Sequence, residues 1–529
     1  MKNFELSERT VNKMLMRSVE MFPDKRFAVS GDWNISYGKL NEKVNSCANS
    51  LNKLGVTKGT KVALFLRNSP AFIYSWFAIS KLGGVYVPIN TEYKGDILQY
   101  QLNKADVSHI ILDSDFVERF SGIEKKLSKL ICMIEHDRPD YKAGTFPLAL
   151  NIKRLSFDEL LIGSISNVIT EVSYTDPHAI SFTSGTTGPS KGVLATNCHV
   201  VTFALDWIEA CKYNSEDILF TPLPMFHAIA TWLGILPTVI IGNEASFSEK
   251  FSASKFWDEV RHYNASVIHG IFSMIPILLK QPISPNDKNV PARLFYIGQR
   301  NSEFEKRFNC KIVEVYGATE TGIVTYTPFN ENANKGSCGK ENDKTYFVSI
   351  LDKNDQKVKI GEVGEIVVRP KQPYSMMSEY YKMPNESLSA YRNLWFHTGD
   401  NGKIDEDGFF YFVDRKNDAI RRRGENISSF ELERVINSDE KVLECAAVAV
   451  PSELGEDDIK IVIVPQIGFN LTPKEVWDRC EKDMPKFWVP RYLEFRESLP
   501  KTPNQKIQKY LLRLGDPNIE IYDKENFYK

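Results

Sequence analysis

The chain has 529 residues, which at about 150 residues per domain is more than one folded unit. Hydrophobic residues make up 42% and charged residues 25%, ordinary for a chain that buries a large core, so disorder is disfavoured. Lys+Arg is 66 and Asp+Glu is 68, a formal net charge of −2 that argues against a dedicated nucleic-acid binder but leaves room for a local basic site for a phosphate ligand.

The first ten residues, MKNFELSERT, carry Glu5 and Glu8 where a secretory signal would need an apolar core. Val11, Met14, Leu15 and Val19 follow at helical spacing, with Ser7 as the expected cap. KVALFLR at 61–67 reads as a strand, AFIYSWFAISKLG at 71–83 as an apolar helix ending on glycine, and VYVPIN at 85–90 and SHIILDS at 108–114 as further strands. DILFTPLP at 217–224, RLFYIG at 293–298 and KIVEVYG at 311–317 extend the same alternation. Near-continuous apolar strands separated by helices predict parallel sheets covered on both faces.

Residues 218–243 contain no charge, but Pro222, Pro224 and Pro237 interrupt them, so we expect a core segment broken into strand, loop and short helix rather than a span. From about Tyr346 shorter strands follow: YFVSILD, GEIVVRP and GFFYFVDR. After the basic segment NDAIRRRGEN comes an α+β pattern of helix 430–437, strands CAAVAVP and IKIVIVPQ, helix LTPKEVWDRCEKDM and strand YLEFR. A domain boundary is placed near 414–417, and the last ~110 residues are of a size to fold as one small domain. The expected fold is therefore α/β: a large N-terminal domain with parallel-rich α/β sheets and a β subdomain, then a small α+β domain.

Eight scattered cysteines without a Cys-x-x-Cys pair suggest buried thiols rather than a zinc site or disulfide framework, and hence a reducing, cytoplasmic setting. The C-terminal ENFYK carries no targeting tripeptide or prenylation box.

The strongest local signal is ISFTSGTTGPSKGV at 180–193. Its glycines let the backbone approach an anion, its hydroxyls add donors, and Lys191 adds charge. It is not the Walker pattern, because Gly185 lies six residues before Lys191 and Gly188 does not directly precede it. By composition alone an anion loop and a polar surface loop stand level.

The full segment resembles the phosphate-binding signature of the adenylate-forming superfamily: acyl-CoA synthetases, adenylation domains of peptide synthetases and beetle luciferases. Four more segments resemble that family's motifs in the required order: YGATETG at 316–322, WFHTGD at 395–400, DRKNDAIRRRGENIS at 414–428 and LPKTPNQKIQK at 499–509. VPIN at 87–90 also fits. Several stretches, among them RRRGENISSFELE, are most similar to carnitine/crotonobetaine–CoA ligases.

The resemblance implies two half-reactions. A carboxylate attacks the α-phosphate of ATP, giving acyl-adenylate and pyrophosphate; a thiol then takes the acyl group and AMP leaves. It implies ATP, Mg²⁺ and CoA (or a carrier protein's phosphopantetheine) as cofactors, a small carboxylic acid as substrate, and no membrane span or nucleic acid. The phosphates fall to Thr183, Ser184, Gly185, Thr186, Thr187, Gly188 and Lys191. Tyr316 and Gly317 meet adenine, Thr319 the α-phosphate, and Glu320 is the magnesium ligand, since a hard cation takes oxygen. Outside the motif Tyr316 would read as a core tyrosine and Glu320 as a solvated carboxylate. Asp400 accepts from the ribose hydroxyls, and Arg415 contacts ribose or phosphate; His397 is read as structural.

Lys506 is the implied catalytic lysine, bridging the carboxylate and the α-phosphate. Lys501 and Lys509 are read as surface lysines, and Gln505 stands where relatives have glycine. Residues 1–414 are the implied ATP- and acid-binding domain and 415–529 a mobile lid hinged at Asn417. Arg423, Gly424 and Glu425 line the implied CoA channel, with Arg423 in place of a glycine, and the basic run 421–423 reads either as a contact for CoA phosphates or as a solvated basic loop. His227 stands where amino-acid-activating relatives place aspartate, which points to a plain carboxylic acid. His227, Trp232, Gly298 and Gly317 line the implied acyl pocket, with Gly234, Ile297 and Gln299 nearby. A stand-alone enzyme loading an acyl carrier protein is the second reading. A catalytically dead nucleotide binder is the third, and Lys191, Glu320, Asp400, Arg415 and Lys506 occurring together argue against it.

Overall fold

The structure, a computed structural model, describes residues 4–138, 140, 152–183, 190–271, 274–296, 300–415, 420–422, 425–427, 429–452, 457–484, 488–501, 506–516 and 518–527. The chain divides into two compact units. The first takes Met1–Thr183, Ser190–Val348 and Val368–Ser389; the second takes Ser349–Val367 and Ala390–Lys529.

Two large sheets build the first unit. The eight-stranded sheet runs Glu379–Tyr380, Lys191–Thr196, Pro177–Thr183, Val85–Pro88, Lys61–Phe65, His109–Asp113, Cys132–His136, Lys153–Ser156. Its pairings are parallel from Pro177–Thr183 to Lys153–Ser156 and antiparallel at the other edge. The seven-stranded sheet is parallel except at its last pair, Arg26–Ser30 with Trp33–Ser36. Strands such as Val85–Pro88 and His109–Asp113 are buried at every position, which is why they carry no polar alternation.

Helix Pro70–Lys81 shows how sequence sets an element. Ser69 caps it by accepting from the Phe72 N–H at 3.4 Å, Pro70 occupies the first turn, and every residue from Ala71 to Lys81 is buried. Gly83 just beyond has φ +65°, the left-handed exit that glycine adopts without strain. Its apolar residues belong to one core that also takes in Val62 and Leu64 of one sheet and Leu219 and Phe220 of the other. Asn68 fastens the two sheets. Its amide donates to the carbonyls of Leu223 and Ser248 at 2.9 and 2.8 Å, and its oxygen accepts from the Met225 N–H at 2.7 Å.

In the second unit, the sheet Val442–Pro451, Asp457–Pro465, Tyr492–Phe495, Ile521–Asp523 is two-faced. Ile459, Ile461 and Ile463 pack with Leu432 and Trp477 of helices Ser429–Asn437 and Pro473–Asp483. Ala446, Val448 and Val462 of the other face pack with Leu499 and Leu512.

Three local expectations change. The helix Val11–Met21 is capped by Thr10, which accepts from the Lys13 N–H; Ser7 lies in a preceding 3₁₀ turn. The segment 311–317 is two strands, not one. Lys311–Val313 ends the seven-stranded sheet and Val315–Ala318 begins a three-stranded one, with buried Glu314 at the break accepting from the Arg300 N–H at 2.6 Å. Pro237 breaks nothing. It sits in the first turn of Leu236–Ile241, where its missing N–H is not needed, and a π-turn over Thr231–Ile235 leads into it. No helix among the described residues is long and apolar enough to cross a membrane.

Candidate active site

The anion-loop motif is a β-hairpin. Strands Pro177–Thr183 and Lys191–Thr196 pair antiparallel with Thr183 directly opposite Lys191, so these two residues form the mouth of the loop. Residues 184–189, which carry Ser184, Gly185, Thr186, Thr187 and Gly188, lie outside the described residues. The loop's exit is tied to helix Gly95–Lys104: Tyr100 Oη donates to the Ser190 carbonyl and Gln101 Nε2 to Ser190 Oγ, both at 3.2 Å.

The second motif is also a hairpin, Val315–Ala318 with Gly322–Tyr326, turning through Thr319, Glu320 and Thr321. The Ala318 N–H donates to Thr321 Oγ1 at 3.1 Å, closing the turn. Gly317 is required by closeness, since a Cβ there would lie 2.0 Å from the Gly322 carbonyl oxygen. Tyr316 and Thr319 are half-buried.

These hairpins meet at one carboxylate. Thr183 Oγ1 donates to Glu320 Oε1 at 3.0 Å across 137 residues of sequence, and Tyr380 Oη donates to the same oxygen at 3.3 Å. The Met377 N–H holds the Glu320 carbonyl at 2.9 Å. Lys191 Nζ lies 4.7 Å from the centre of the Tyr380 ring, a cation–π contact at the loop's mouth. Tyr380 is positioned because Glu379–Tyr380 pairs with Lys191–Thr196, placing Tyr380 opposite Val193. A carboxylate oriented by two hydroxyls suits Mg²⁺, which takes one or two protein carboxylates and fills its shell with water and phosphate oxygens.

His227 caps the short helix Ala228–Ala230, its carbonyl accepting from the Ala230 N–H at 3.0 Å. The turn before it is fixed by Asn68 through Met225. Trp232 is fully buried, its indole N–H donating to Tyr86 Oη, and its ring meets His199 and Phe203 edge-on at 5.9 and 6.2 Å. It is a core residue in this structure. Behind it, burial pushes His199 and His269 down to about 3, so both rings are neutral at any ordinary pH. On helix Asn197–Cys211, which also carries His199, burial pushes the Asp206 carboxyl up to about 7, against the Thr345 hydroxyl donating to it at 2.7 Å. Gly234 sits where a Cβ would be 3.5 Å from His269. Ile297, Gly298 and Gln299 lie outside the described residues.

In the second unit, Asp400 on strand Trp395–Ile404 stands directly opposite Arg415 in the antiparallel ladder with Phe410–Arg415. The Asp400 N–H donates to Thr398 Oγ1 at 3.1 Å, and Thr398 donates to the Ile366 carbonyl. His397 is nearly buried against Glu365, with Nδ1 2.9 Å from Oε2. Asn417, Arg423 and Gly424 lie outside the described residues. Glu425 lies on strand Glu425–Ile427, which pairs with Ile420–Arg422, so the basic segment contains a hairpin. Arg422 is engaged by Asp458 at 3.3 Å and the Val489 carbonyl at 2.8 Å, which turns one of the three arginines toward the domain's own sheet.

The lysine segment separates its three candidates. Lys501 pairs with Glu444 at 2.6 Å and Lys509 with Glu433 at 2.8 Å, while Lys506 is exposed. Lys509 is thus not the surface lysine expected from sequence: its side chain keeps only 14% of its exposure. Lys501 and Ile507 form an antiparallel bridge, and the Gln508 N–H donates to the Pro500 carbonyl at 2.8 Å, so the loop carrying Lys506 is closed at its base.

Sequence reasoning missed two residues. Asn68 follows the carboxyl end of a parallel strand, the edge at which α/β sheets gather their site loops, and that position was a usable signal. Tyr380 had no motif; only the ladder to Lys191–Thr196 brings it in.

Both hairpins and the lysine segment as far as Lys506 lie in matches to known families. Residues 15–381 match the model of the AMP-binding enzymes, and residues 431–506 that of the AMP-binding enzyme C-terminal domain. The chain belongs to the AMP-binding enzyme family, the adenylate-forming class its motifs resemble. Among individual relatives it is 34% identical over 492 residues to a crotonobetaine/carnitine–CoA ligase of Salmonella heidelberg, covering 90% of this chain and 93% of the relative. Its fold matches ATP-bound MatB from Rhodopseudomonas palustris with a TM-score of 0.84 at 24% identity, over 96% and 98% of the two chains. It matches the anthranilate–CoA ligase AuaEII, in complex with anthranoyl-AMP, with a TM-score of 0.86 at 22% identity, over 97% and 98%.

Proposed function

We propose that the chain is an ATP- and magnesium-dependent acid–CoA ligase that forms an acyl-adenylate, releases pyrophosphate, and transfers the acyl group to the CoA thiol with loss of AMP. The observation that carries this reading is the junction at Glu320, where the phosphate hairpin, the adenine-motif hairpin and strand Glu379–Tyr380 share one carboxylate oxygen. The name of the Salmonella relative, a ligase acting with CoA on a small acid, supports the acceptor and the substrate class.

The first half-reaction brings a carboxylate to a polyphosphate, so positioning and charge neutralisation do most of the work. Thr183, Lys191 and the loop between them hold the β- and γ-phosphates. Tyr316 and Gly317 bound adenine, and Thr319 donates to the α-phosphate. Bound Mg²⁺ would draw off phosphate charge, and Glu320 is the residue to hold it. Asp400 and Arg415 take the ribose side, and Lys506 bridges the two reacting anions. The lid comprises 415–529 with its hinge at Asn417, and Arg423, Gly424 and Glu425 line the thiol's approach. His227 bounds the carboxylate end of the acid, and Gly298 and Gly317 its pocket. We read the acid as short or medium in chain length and the protein as cytoplasmic, in keeping with eight buried thiols.

Pyrophosphate release across a panel of carboxylic acids, carnitine and crotonobetaine included, tests this. We expect acid- and Mg²⁺-dependent release, with thioester formed when CoA is present. No acid-dependent release across the panel, or transfer only to a carrier protein, overturns it.

A further inference from the structure

Two segments of the lid carry its chemistry in the proposed function: the loop of Lys506, and the hairpin 420–427 that follows the hinge. Both are continuous with helices of the same small sheet domain. The lysine loop runs directly into helix Lys509–Leu514, and the hairpin into helix Ser429–Asn437.

A single ammonium joins those helices. Lys509, the first residue of its helix, lies 2.8 Å from Glu433 Oε1 and also donates to Ser429 Oγ, the first residue of the other helix. Glu433 is itself fixed to the sheet, because Oε1 accepts from the Ala447 N–H at 2.8 Å. Both side chains are mostly buried, at 14% and 15% exposure, so the pair is shielded from the screening that weakens surface ion pairs. Ser429 is fully buried. The segment's other anchors are the more exposed Lys501–Glu444 pair, at 30% and 25% exposure, and apolar contacts in which Leu499 and Leu512 pack on the sheet face with Ile507 against them. Apolar contacts fix the segment's height above the sheet but are non-directional; of the two ion pairs, the better shielded Lys509 contact does more to fix its position along the sheet.

We infer that Lys509 is a positioning residue, whose ion pair with Glu433 sets the reach of the Lys506 ammonium and keeps the lysine loop in register with the helix that follows the hinge. The inference rests on the reading of Lys506 as the lysine of the adenylation half-reaction. Lys509 touches no reactant. Its loss shifts the base of the loop three residues from Lys506, and a misplacement of about 1 Å at a reacting group costs on the order of 100-fold in rate. Thioester formation does not use Lys506, so the effect falls on one half-reaction.

The test measures both half-reactions at saturating substrates in Lys509→Met, Lys509→Arg, Glu433→Gln and Lys506→Ala. Pyrophosphate release follows the first half, and thioester formation from supplied acyl-adenylate and CoA the second. We expect Lys509→Met and Glu433→Gln each to lose about 10- to 100-fold in kcat for pyrophosphate release with the KM for ATP within threefold. The thioester step stays within threefold, Lys509→Arg recovers most of the loss, and Lys509→Met combined with Glu433→Gln is no worse than the worse of the two alone. Glu433→Gln keeps an acceptor for Ala447 and stands in for Lys509→Met should the latter not fold. Wild-type pyrophosphate release in Lys509→Met or Glu433→Gln beside an inactive Lys506→Ala overturns the clamp and leaves the function intact. Equal losses in both half-reactions reduce Lys509 to a structural residue and also overturn it. Normal release in Lys506→Ala overturns the reading beneath it.

Discussion

The two regions that carry charge toward the proposed reaction are built in opposite ways. Around Glu320 the groups are interlocked: two hydroxyls from distant strands hold one carboxylate oxygen, and a tyrosine ring lies against the ammonium of Lys191. Around Lys506 the neighbouring lysines are engaged instead. Lys501 and Lys509 are ion-paired to the domain's own carboxylates, and the exposed member is the one that matches the family motif. The first arrangement suits a site that must hold phosphates in one geometry. The second suits a charge delivered on a loop with a fixed base.

Substitutions can break this contrast. Lys506→Ala should have the largest effect, about a 1,000-fold loss of pyrophosphate release, with Lys501→Ala within a few-fold of wild type. Equal losses would mean that the exposed Lys506 has no role distinct from that of Lys501. Next, Glu320→Gln should cost about 100-fold and raise the Mg²⁺ concentration needed for half-maximal rate, because a neutral amide is a poorer ligand for a hard cation; an unchanged Mg²⁺ requirement would remove Glu320 from that role. Tyr380→Phe removes one of the two hydroxyls on Glu320 but keeps the ring beside Lys191. It should cost only about three- to tenfold, whereas Tyr380→Ala, losing both contacts, should approach the Glu320 variant.

The smallest effect on rate, and a clear one on stability, is expected at Asp206 in the scaffold of the first region. Its folded carboxyl titrates at about 7 because burial disfavours the charged form, against 3.8 ordinarily. Between those values the unfolded chain ionises while the folded one stays protonated. Stability is therefore lost as pH rises from about 4 to about 7, by roughly 4 kcal/mol if the whole shift is realised. Asp206→Asn keeps an acceptor for Thr345 and removes that slope. Thermal melts should show the variant gaining on wild type from pH 4 to pH 8; a constant difference between them would contradict the shift.

How much was legible from sequence differed between the regions for physical reasons. Apolar runs such as VYVP at 85–88 read as buried strands, and the parallel sheets followed. The hairpin 180–193 announced itself because backbone approach to an anion needs glycines, and glycines are visible. Tyr380 was not legible, since its role depends on a two-residue strand joining a ladder that local pattern does not encode. The split at Glu314 was hidden for a related reason: KIV and VYGA have the same strand texture, and only the backbone N–H of Arg300 seeking the Glu314 carboxylate marks the change of sheet. Lys509 looked like any surface lysine until Glu433 came to meet it from 76 residues away.

The pairing of Thr183 with Lys191 across the hairpin mouth also bears on how this protein tolerates change. Side chains alternate faces along a strand, so a one-residue slip in the stem would send Lys191 to the far side of the sheet. An insertion or deletion confined to the loop leaves the stem's register alone and keeps the cation where it stands. Length variants within residues 184–189 should therefore retain a placed Lys191, whereas a single residue added just after Lys191 within strand Lys191–Thr196 should behave like a charge deletion.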